Sequence, residues 1–363
     1  MSTSWRDPPA VAGHAAFAKL FPESDELLRG AYATLRPHTG LLREDRGAAY
    51  EVRSTDYAFP PDGDHRDAIG HVTREPTRRL FALAGGTVRG RDGAVVDPAS
   101  GVAVRESLDL WDEPLDRHPA LRPDGFDPVE RLPGTSLLIA TLGGDGFFHF
   151  LLEALPKLVL ARDVLPACRT VLVAGDSEPW RLAWLAKAGV DPGRIRWLGP
   201  RSHLACDQLL FTNRLVRHFE PNPWVVAALR GLLALPPPTP RPDGPVLWLD
   251  RSAAPHRRRP WEGELHRLAA PDAVPIDLGS LSPEAVVTAC AGARAFAGLH
   301  GAAFANLVFA APGARVLEFQ PEPFAPWYAR LADTCGQRHL AVPVTAETME
   351  AAAAAGRMFL DRG

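Results

Sequence analysis

The sequence predicts an α/β fold in which two Rossmann-like domains face each other across a cleft. Short apolar runs alternate with helical segments twice along the 363-residue chain. A proline-rich segment, LPPPTPRPDGP at residues 235–245, separates the two series. Strands that alternate with helices are typical of a parallel sheet covered on both faces. The chain is also long enough for two domains that each bury a core.

The first series follows a segment to which we assign no chemistry. Residues 15–29 could form a helix, and the polar stretch after them lacks clear periodicity. We treat residues 1–78 as a small, β-containing N-terminal extension. Residues 80–107 alternate short β-type runs with Gly and Asp-Pro turns, which predicts an antiparallel meander. The first Rossmann-like domain is predicted at residues 79–235. Its predicted elements are strands 136–140, 171–174, 194–198 and 208–212, and helices 147–165, 179–188 and 223–235.

The second series begins after the prolines. Consecutive prolines favour an extended polyproline conformation, so residues 236–245 are predicted to be a linker. The second Rossmann-like domain is predicted at residues 246–345, and a C-terminal helical segment occupies residues 346–363. The predicted elements are strands 246–250, 273–276, 294–298, 315–319 and 338–342, and helices 261–269, 282–291, 304–311, 324–335 and 347–358.

Composition excludes several classes of protein. Hydrophobic residues make up 46% of the chain, charged residues 23%, and the net charge is -3, so we expect neither a disordered chain nor a nucleic-acid partner. The cysteines at 168, 206, 290 and 335 lie far apart and form no CxxC pair, which indicates reduced thiols. No window approaches the roughly 18 apolar residues of a membrane span. We expect a cytoplasmic protein with no transmembrane segment, for which peripheral contact with a membrane stays open.

The densest pattern in the chain lies at residues 294–319, RAFAGLHGAAFANLVFAAPGARVLEF. A buried strand leads into the turn His300-Gly301-Ala302-Ala303, and a helix with one apolar face follows at once. A glycine turn lets a ligand approach the backbone, and the unpaired amides of a helix start favour an anion. The turn therefore predicts a diphosphate site. The alternative is an ordinary tight turn in which His300 caps or packs.

Other polar residues of the second domain fall at predicted strand ends, where open α/β sheets bind ligands. Arg251 and Ser252 follow one strand, and the basic run at 256–259, HRRR, comes soon after. Arginines can neutralise a diphosphate without a metal. Glu318 ends another strand and could accept hydrogen bonds from ribose hydroxyls. The alternatives are a solvated basic loop and a pairing of Glu318 with Arg315 or another surface base.

In the first domain, three residues at a glycine turn and helix start are candidates for acid–base chemistry. His149 and Glu153 are four residues apart on the predicted helix and share a face, and Asp145 lies in the turn before it. A histidine or carboxylate here could take the proton from an acceptor hydroxyl. The alternatives are a capping Asp145 with a buried His149 bonded to Glu153, or a structural ion pair.

Three segments of the chain resemble the marker segments of glycosyltransferase family 61, in the same order and at similar separations. They are GDGFFHFLLEALPKL (144–158), LDRSAAPHRRRPWEGEL (249–265) and GLHGAAFANLVFAAPGARVLEF (298–319), and the resemblance covers about residues 80–345. It implies two Rossmann-like domains of the GT-B type, which transfer a sugar from a nucleotide-sugar donor with inversion and without a bound metal or cofactor. Bacterial members are often linked to capsular or surface polysaccharide, and we expect this chain to be of that type.

Carried over residue by residue, the resemblance implies donor-side and acceptor-side sets. His149 and Glu153 match the acceptor-side marker, and Glu318 is implied to lie near the nucleoside. The chain departs from the family pattern at Gly146, Phe147 and Phe150, where Asn-Tyr or Asn-Phe and then His-Trp are common, and at WEGEL, where Asn-Glu is common. The implied donor-side residues are Arg251, Ser252, Arg257, Arg258, Arg259, His300, Gly301, Ala302, Ala303 and Asn306.

The predicted reaction is a single displacement. An acceptor hydroxyl, deprotonated by His149 or Asp145, attacks the anomeric carbon of a hexosyl or pentosyl donor while the nucleoside diphosphate leaves. Two other classes stay open: a catalytically silent nucleotide-sugar-binding protein, and a dinucleotide-dependent oxidoreductase suggested by GGDG after a strand. The oxidoreductase lacks support because no third glycine and no acidic residue about 20 positions on complete its fingerprint.

Overall fold

The structure is a computed structural model. It describes residues 39–45, 49–51, 56–57, 72–74, 76–97, 101–110, 118–121, 125–216, 221–252, 258–321 and 325–361. These residues form two compact units: 1–48 with 75–218, and 49–74 with 219–363. Each unit is an α/β body, as the alternating pattern predicts.

Strands and helices are labelled in chain order. The strands are β1 (Thr39–Asp45), β2 (Ala49–Glu51), β3 (Asp56–Tyr57), β4 (Val72–Arg74), β5 (Arg78–Ala84), β6 (Thr87–Arg89), β7 (Ala94–Asp97), β8 (Val102–Ala103), β9 (Glu130–Leu138), β10 (Thr170–Ala174), β11 (Ile195–Leu198), β12 (His203–Thr212), β13 (Val246–Leu249), β14 (Val274–Ile276), β15 (Ala295–Leu299), β16 (Arg315–Gln320) and β17 (Arg338–Pro343). The helices are α1, which joins the segments Phe147–His149, Phe150–Ala154 and Leu155–Leu160, then α2 (Pro179–Lys187), α3 (Pro223–Leu232), α4 (Glu262–Ala269), α5 (Pro283–Gly292), α6 (Trp327–Thr334) and α7 (Met349–Asp361).

The sheet of the first unit is mixed. Strands β11, β10, β9 and β12 run parallel in that order. The meander predicted at 80–107 is confirmed, since β6, β7 and β8 pair antiparallel. It is also part of the same sheet, because β12 pairs antiparallel with both β5 and β6. The prediction of a purely parallel sheet in the first domain is therefore wrong. The sheet has four parallel strands, and the antiparallel strands of the meander extend it.

Helix α1 of the first unit contains a π-helical turn at Phe150–Ala154. The amide of Leu155 donates to the carbonyl of Phe150, five residues back, and the next residue is Pro156. Proline has no amide hydrogen, and its ring would clash with the carbonyl four residues before it, so a widened turn accommodates it. The side chains of Phe150 through Leu155 are all buried. The helix is thus apolar on almost every side, as its sequence predicts.

The sheet of the second unit is parallel throughout, in the order β14-β13-β15-β16-β17-β3. Its last strand comes from the N-terminal part of the chain, where Asp56–Tyr57 pairs with β17. The helices start at sites that the sequence marks: Asn222 caps α3 and Ser282 caps α5, each before a proline at the first helical position.

One predicted helix has a different form. Residues Ala302–Phe309, which follow the glycine turn, form a 3₁₀ helix instead of an α-helix. Phe304, Leu307 and Val308 are buried, so the apolar face predicted for this segment is confirmed. It connects β15 to β16 and completes the strand-helix-strand unit.

Candidate active site

The second unit places polar residues at the carboxyl ends of two adjacent parallel strands. β13 ends at Leu249 and β15 at Leu299, and the two strands pair directly. Arg251 therefore lies beside the turn formed by His300 and Gly301. This edge is where open parallel sheets bind their ligands.

Arg251 lies against the backbone of the glycine turn. Its Nη1 donates a hydrogen bond to the carbonyl oxygen of His300. A Cβ at Gly301 would lie 2.8 Å from Cζ and from Nη1 of Arg251 and 2.9 Å from Nε. Contacts below about 3.0 Å do not occur for real Cβ atoms, so only glycine lets the guanidinium occupy this place. The glycine is required here for close approach and not for its φ, which is extended at 171°.

Two acidic residues hold the segment around Arg251 in shape. The backbone amide of Arg251 donates to Oε1 of Glu262 over 3.1 Å, and the amide and hydroxyl of Ser252 donate to the carboxylate of Asp250 over 2.8 and 3.0 Å. Glu262 is 6% exposed, and its burial raises the pKa of its carboxyl group. Ser252 is exposed at the tip of the turn. Its hydroxyl is therefore oriented and open to solvent.

A buried carboxylate lies between two histidines behind the turn. Glu318, fully buried in β16, contacts Nδ1 of His300 through Oε1 and Nε2 of His339 through Oε2, the latter at 2.9 Å. Burial raises the pKa of Glu318, but the charges and hydrogen bonds of the two histidines outweigh it and hold the pKa at about 2. The carboxylate is therefore ionised at neutral pH, and it fixes the ring of His300.

The surroundings of Glu318 differ from those expected for a ribose contact, and the predicted contact stays a prediction. A ribose contact needs an accessible oxygen, whereas both oxygens of Glu318 are engaged by histidines and its side chain is 0% exposed. It does not pair with Arg315 either. Glu318 positions His300, and since Nδ1 of His300 is used in that contact, Nε2 is the nitrogen available to a ligand.

Aromatic rings enclose His300 on another side. Its ring centroid lies 5.5 Å from that of Trp327 and 5.2 Å from that of Tyr328, both at the start of α6. The His300 side chain keeps 11% exposure. It is thus held by an ion pair and by packing, with a small part of its surface open.

The 3₁₀ helix after the turn supplies amides. Gly301 precedes it with no side-chain cap, and Ala302 is exposed while Ala303 is half-buried. Asn306, in contrast, is 2% exposed and donates from Nδ2 to the carbonyl oxygen of Ala303 over 2.9 Å. A donor-side role for Asn306 stays a prediction, and what the structure gives it is a role in shaping the helix.

The basic segment is described in part. Arg258 is exposed and Arg259 is half-buried, while His256 and Arg257 lie outside the described residues. Within the described ranges, no group of three or more His, Cys, Asp or Glu side chains is arranged to hold a metal ion.

In the first unit, the candidate base and its partner contact each other. Nδ1 of His149 lies 3.0 Å from Oε1 of Glu153, and the hydroxyl of Thr141 donates to Oε2 of Glu153 over 3.3 Å. The His149 and Glu153 side chains are 13% and 9% exposed. A Cβ at Gly143, whose φ is +67°, would lie 2.8 Å from Cδ2 of His149, so the glycine turn lies directly on the imidazole ring.

Asp145 does not join this pair. Its carboxylate forms an ion pair of 2.5 Å with Arg91, and its carbonyl oxygen accepts a hydrogen bond from Arg181. The arginine competes for the lone pairs that a general base would use. The pairing of His149 with Glu153 makes His149 the better candidate of the two.

A small polar cavity of about 20 Å³, enough for one water, lies close to this pair. Lys157 and Asp92 line it. Burial lowers the pKa of Lys157 to about 8, and its Nζ donates to the carbonyl oxygen of Ala140 over 2.5 Å. Burial, with help from Asp145 and Asp109, raises the pKa of Asp92 to about 6 despite the opposing charge of Arg91.

The model of the family described as Glycosyltransferase 61 matches residues 147–317. This region is a glycosyltransferase family 61 sequence. The resemblance seen in the three marker segments is thereby confirmed, over a shorter range than the predicted 80–345. A match to this family supports glycosyltransferase activity, with a donor and an acceptor as substrates. A search of curated proteins gave no match.

The glycosyltransferase 61 region contains most of the candidate residues. It includes His149, Glu153, Arg251 and His300, and it ends one residue before Glu318. Across the described part of the chain, no helix has the length and apolar character needed to cross a membrane.

Sequence reasoning did not identify His339 or Glu262. His339 pairs in register with Val316, so it lies on the same face as Glu318, two residues further along β16. The signal was a lone histidine inside the apolar strand RHLAVP. Glu262 is 11 residues from Arg251, and no local spacing rule connects a turn amide with a carboxylate on the following helix.

Proposed function

We propose that this protein is an inverting, metal-independent glycosyltransferase that moves a sugar from a nucleotide-sugar donor to an acceptor hydroxyl. The proposal rests on the position of the Arg251 guanidinium, which packs against Gly301 and donates to the carbonyl oxygen of His300. The ring of His300 is in turn fixed by Glu318. A preorganised cation at a strand-end glycine turn suits an anionic leaving group. A diphosphate is the anion that a nucleotide sugar releases.

The donor site would work by charge neutralisation. Arg251 and Nε2 of His300 would donate to the diphosphate oxygens, and the amides of Ala302 and Ala303 would add two further donors. The neighbouring segment would add the hydroxyl of Ser252 and the guanidinium groups of Arg257, Arg258 and Arg259. These groups complete the proposed donor-binding residues. Preorganised donors of this kind stabilise charge where it develops in the transition state. No divalent cation is needed in this scheme.

The acceptor side would supply the base. Donation from Nδ1 of His149 to Glu153 selects the tautomer in which Nε2 carries the lone pair. That nitrogen would take the proton of the acceptor hydroxyl as its oxygen attacks the anomeric carbon. The C–O bond to the diphosphate breaks in the same step, so the configuration of that carbon inverts. Glu153 would stabilise the imidazolium that forms.

The finer features expected from the sequence are part of the same proposal. They are a GT-B arrangement, a hexosyl or pentosyl donor, an acceptor glycan or other hydroxyl compound, and a place in cytoplasmic biosynthesis of capsular or other glycoconjugates. Family membership supports them as a group.

The test of the base is a comparison of His149→Gln with wild type in a nucleotide-sugar transfer assay and in a donor-binding assay. General base catalysis is worth about 10²- to 10⁴-fold, so kcat should fall by about that factor while donor Kd stays within about twofold. His203→Gln is the matched control, because His203 is a half-buried histidine of the same unit outside the candidate site. Equal losses in kcat and donor affinity would count against a base role.

A second candidate is a catalytically silent nucleotide-sugar-binding protein. The departures at Gly146, Phe147 and Phe150 around a His149 that is only 13% exposed favour it. Donor binding by the wild type without transfer to any acceptor, and without donor hydrolysis, would decide for this candidate.

A further inference from the structure

A second cavity lies in the second unit, at the opposite end of the strands from the glycine turn. It encloses about 340 Å³, which falls in the size range of small-molecule sites. Its wall contains Arg241, Arg294 and Arg315, and the remaining lining residues are Pro240, Pro242, Ala293, Ala311, Pro312, Gly313 and Ala314. Three of the lining residues are arginines, and none of them is acidic.

The position of the arginines follows from the sheet. Arg294 immediately precedes β15, and Arg315 is the first residue of β16; the amide of Arg315 donates to the carbonyl oxygen of Arg294 over 3.0 Å. These residues are at the amino ends of adjacent parallel strands. From Arg294 to His300 the chain advances six residues, about 20 Å at strand rise. The cavity is therefore separate from the candidate donor site.

The proline-rich segment is fixed beside these strand starts. The amide of Arg294 donates to the carbonyl oxygen of Pro245 over 3.1 Å, and the amide of Gly244 closes a turn on the carbonyl oxygen of Arg241 over 3.0 Å. A Cβ at Gly244 would lie 2.2 Å from the carbonyl oxygen of Gly292, so a larger residue cannot occupy this position. The segment predicted as a linker thus has a defined place next to the second sheet, and it carries Arg241 to the cavity.

The charges at this end of the sheet are mostly of one sign. Burial lowers the pKa of the Arg315 guanidinium, the charges of Arg338 and Arg294 lower it further, and the charge of Asp361 acts in the opposite direction. Nη1 of Arg315 donates to the carbonyl oxygens of Phe359 and Leu360 at the end of α7. The helix therefore holds the guanidinium of Arg315 in place. An anion in the cavity would relieve the repulsion between these arginines.

We propose that this cavity is a binding site for a small organic phosphate, of the size of a sugar phosphate, distinct from the donor site. Arg241 and Arg294 would bind the phosphate, because guanidinium groups match phosphate oxygens in bidentate geometry. The prolines and alanines would pack against the carbon skeleton. The volume favours a sugar phosphate over inorganic phosphate, which would leave most of the cavity unfilled.

The probe for the test is glucose 1-phosphate, titrated calorimetrically into the full-length protein, with neutral glucose as its uncharged counterpart. We expect saturable binding of the phosphate ester and none of glucose. Arg241→Gln and Arg294→Gln should each weaken binding by about tenfold or more, as expected for the loss of a charge-assisted contact. Arg267→Gln, on an exposed face of α4, is the charge-matched control and should leave affinity within about twofold.

His300→Ala separates this site from the donor site. If glucose 1-phosphate binds in the cavity, His300→Ala binds it with wild-type affinity. Loss of binding in His300→Ala together with retention in Arg241→Gln and Arg294→Gln would overturn the proposal, and so would no binding by the wild type at 20 mM probe or equal binding of glucose. Because Arg241 is exposed, Arg241→Gln should fold like the wild type, which unchanged melting without ligand would verify.

Discussion

Gly301→Ala tests whether the close contact between the Arg251 guanidinium and Gly301 is needed for donor binding. The new methyl group would lie 2.8 Å from Cζ and Nη1 of Arg251, well inside normal contact, so the guanidinium must shift from its place on the turn. The extended φ of 171° is accessible to alanine, so the backbone itself can stay in place. The loss of one charge-assisted hydrogen bond to a diphosphate, about 1.5–3 kcal/mol, corresponds to about a 10- to 150-fold rise in Kd.

The assay is calorimetric titration with the nucleoside diphosphate that binds the wild type best. Arg251→Ala should give a similar loss, and the double variant should lose no more than either single one, because both changes remove the same contact. Gly263→Ala is the control, since a Cβ at Gly263 has no atom within 4 Å. Wild-type affinity in Gly301→Ala, or additive losses in the double variant, would show that Arg251 does not bind the diphosphate from its place on Gly301.

Two further predictions concern buried titratable groups. The pKa of Glu318 is held at about 2, below its ordinary 4.5, so its contribution to stability is present above pH 4.5 and is lost as pH falls towards 2; the shift corresponds to about 3 kcal/mol. In urea unfolding from pH 5 to 3, the wild type should therefore lose more stability than Glu318→Gln, and parallel pH profiles would contradict this. Burial raises the pKa of the four cysteine thiols, to about 12 for Cys290 and Cys335 and about 11 for Cys206. At pH 8 a disulfide reagent should modify all four only after the protein is denatured, and rapid labelling of the folded protein would show that a thiol is activated.

The periodic pattern predicted the elements of the second unit well because apolar spacing and turn residues are local. Strands β13, β15, β16 and β17 and the helices between them lie within a few residues of their predicted bounds. The strand β3 could not be predicted, because two residues carry no periodicity and their pairing with β17 depends on a partner 284 residues away. The 3₁₀ form of residues 302–309 likewise depends on packing that spacing alone does not specify.

The sequence indicated which residues lie in the candidate site better than it indicated what each of them does there. The proximity of His149 to Glu153 follows from helix geometry, and the place of Arg251 beside Gly301 follows from adjacent strand ends. The role of Glu318 could not be read in this way. Its side chain points into the interior, and the partner that makes that burial tolerable, His339, lies on a strand outside the matched region. A buried charge needs partners, and sequence distance does not reveal them.

A donor site at the His300 turn can be tested by melting curves of the wild type and His300→Ala with a panel of nucleoside diphosphates and nucleotide sugars, with and without EDTA. A ligand at 100 times its Kd stabilises the folded state by about 2.7 kcal/mol, a readily measured shift. We predict that one nucleoside diphosphate and its sugar ester raise the melting temperature of the wild type, that EDTA leaves the shift unchanged, and that His300→Ala abolishes it. No stabilisation by any member of the panel, or an equal shift in His300→Ala, would contradict a donor site at this turn.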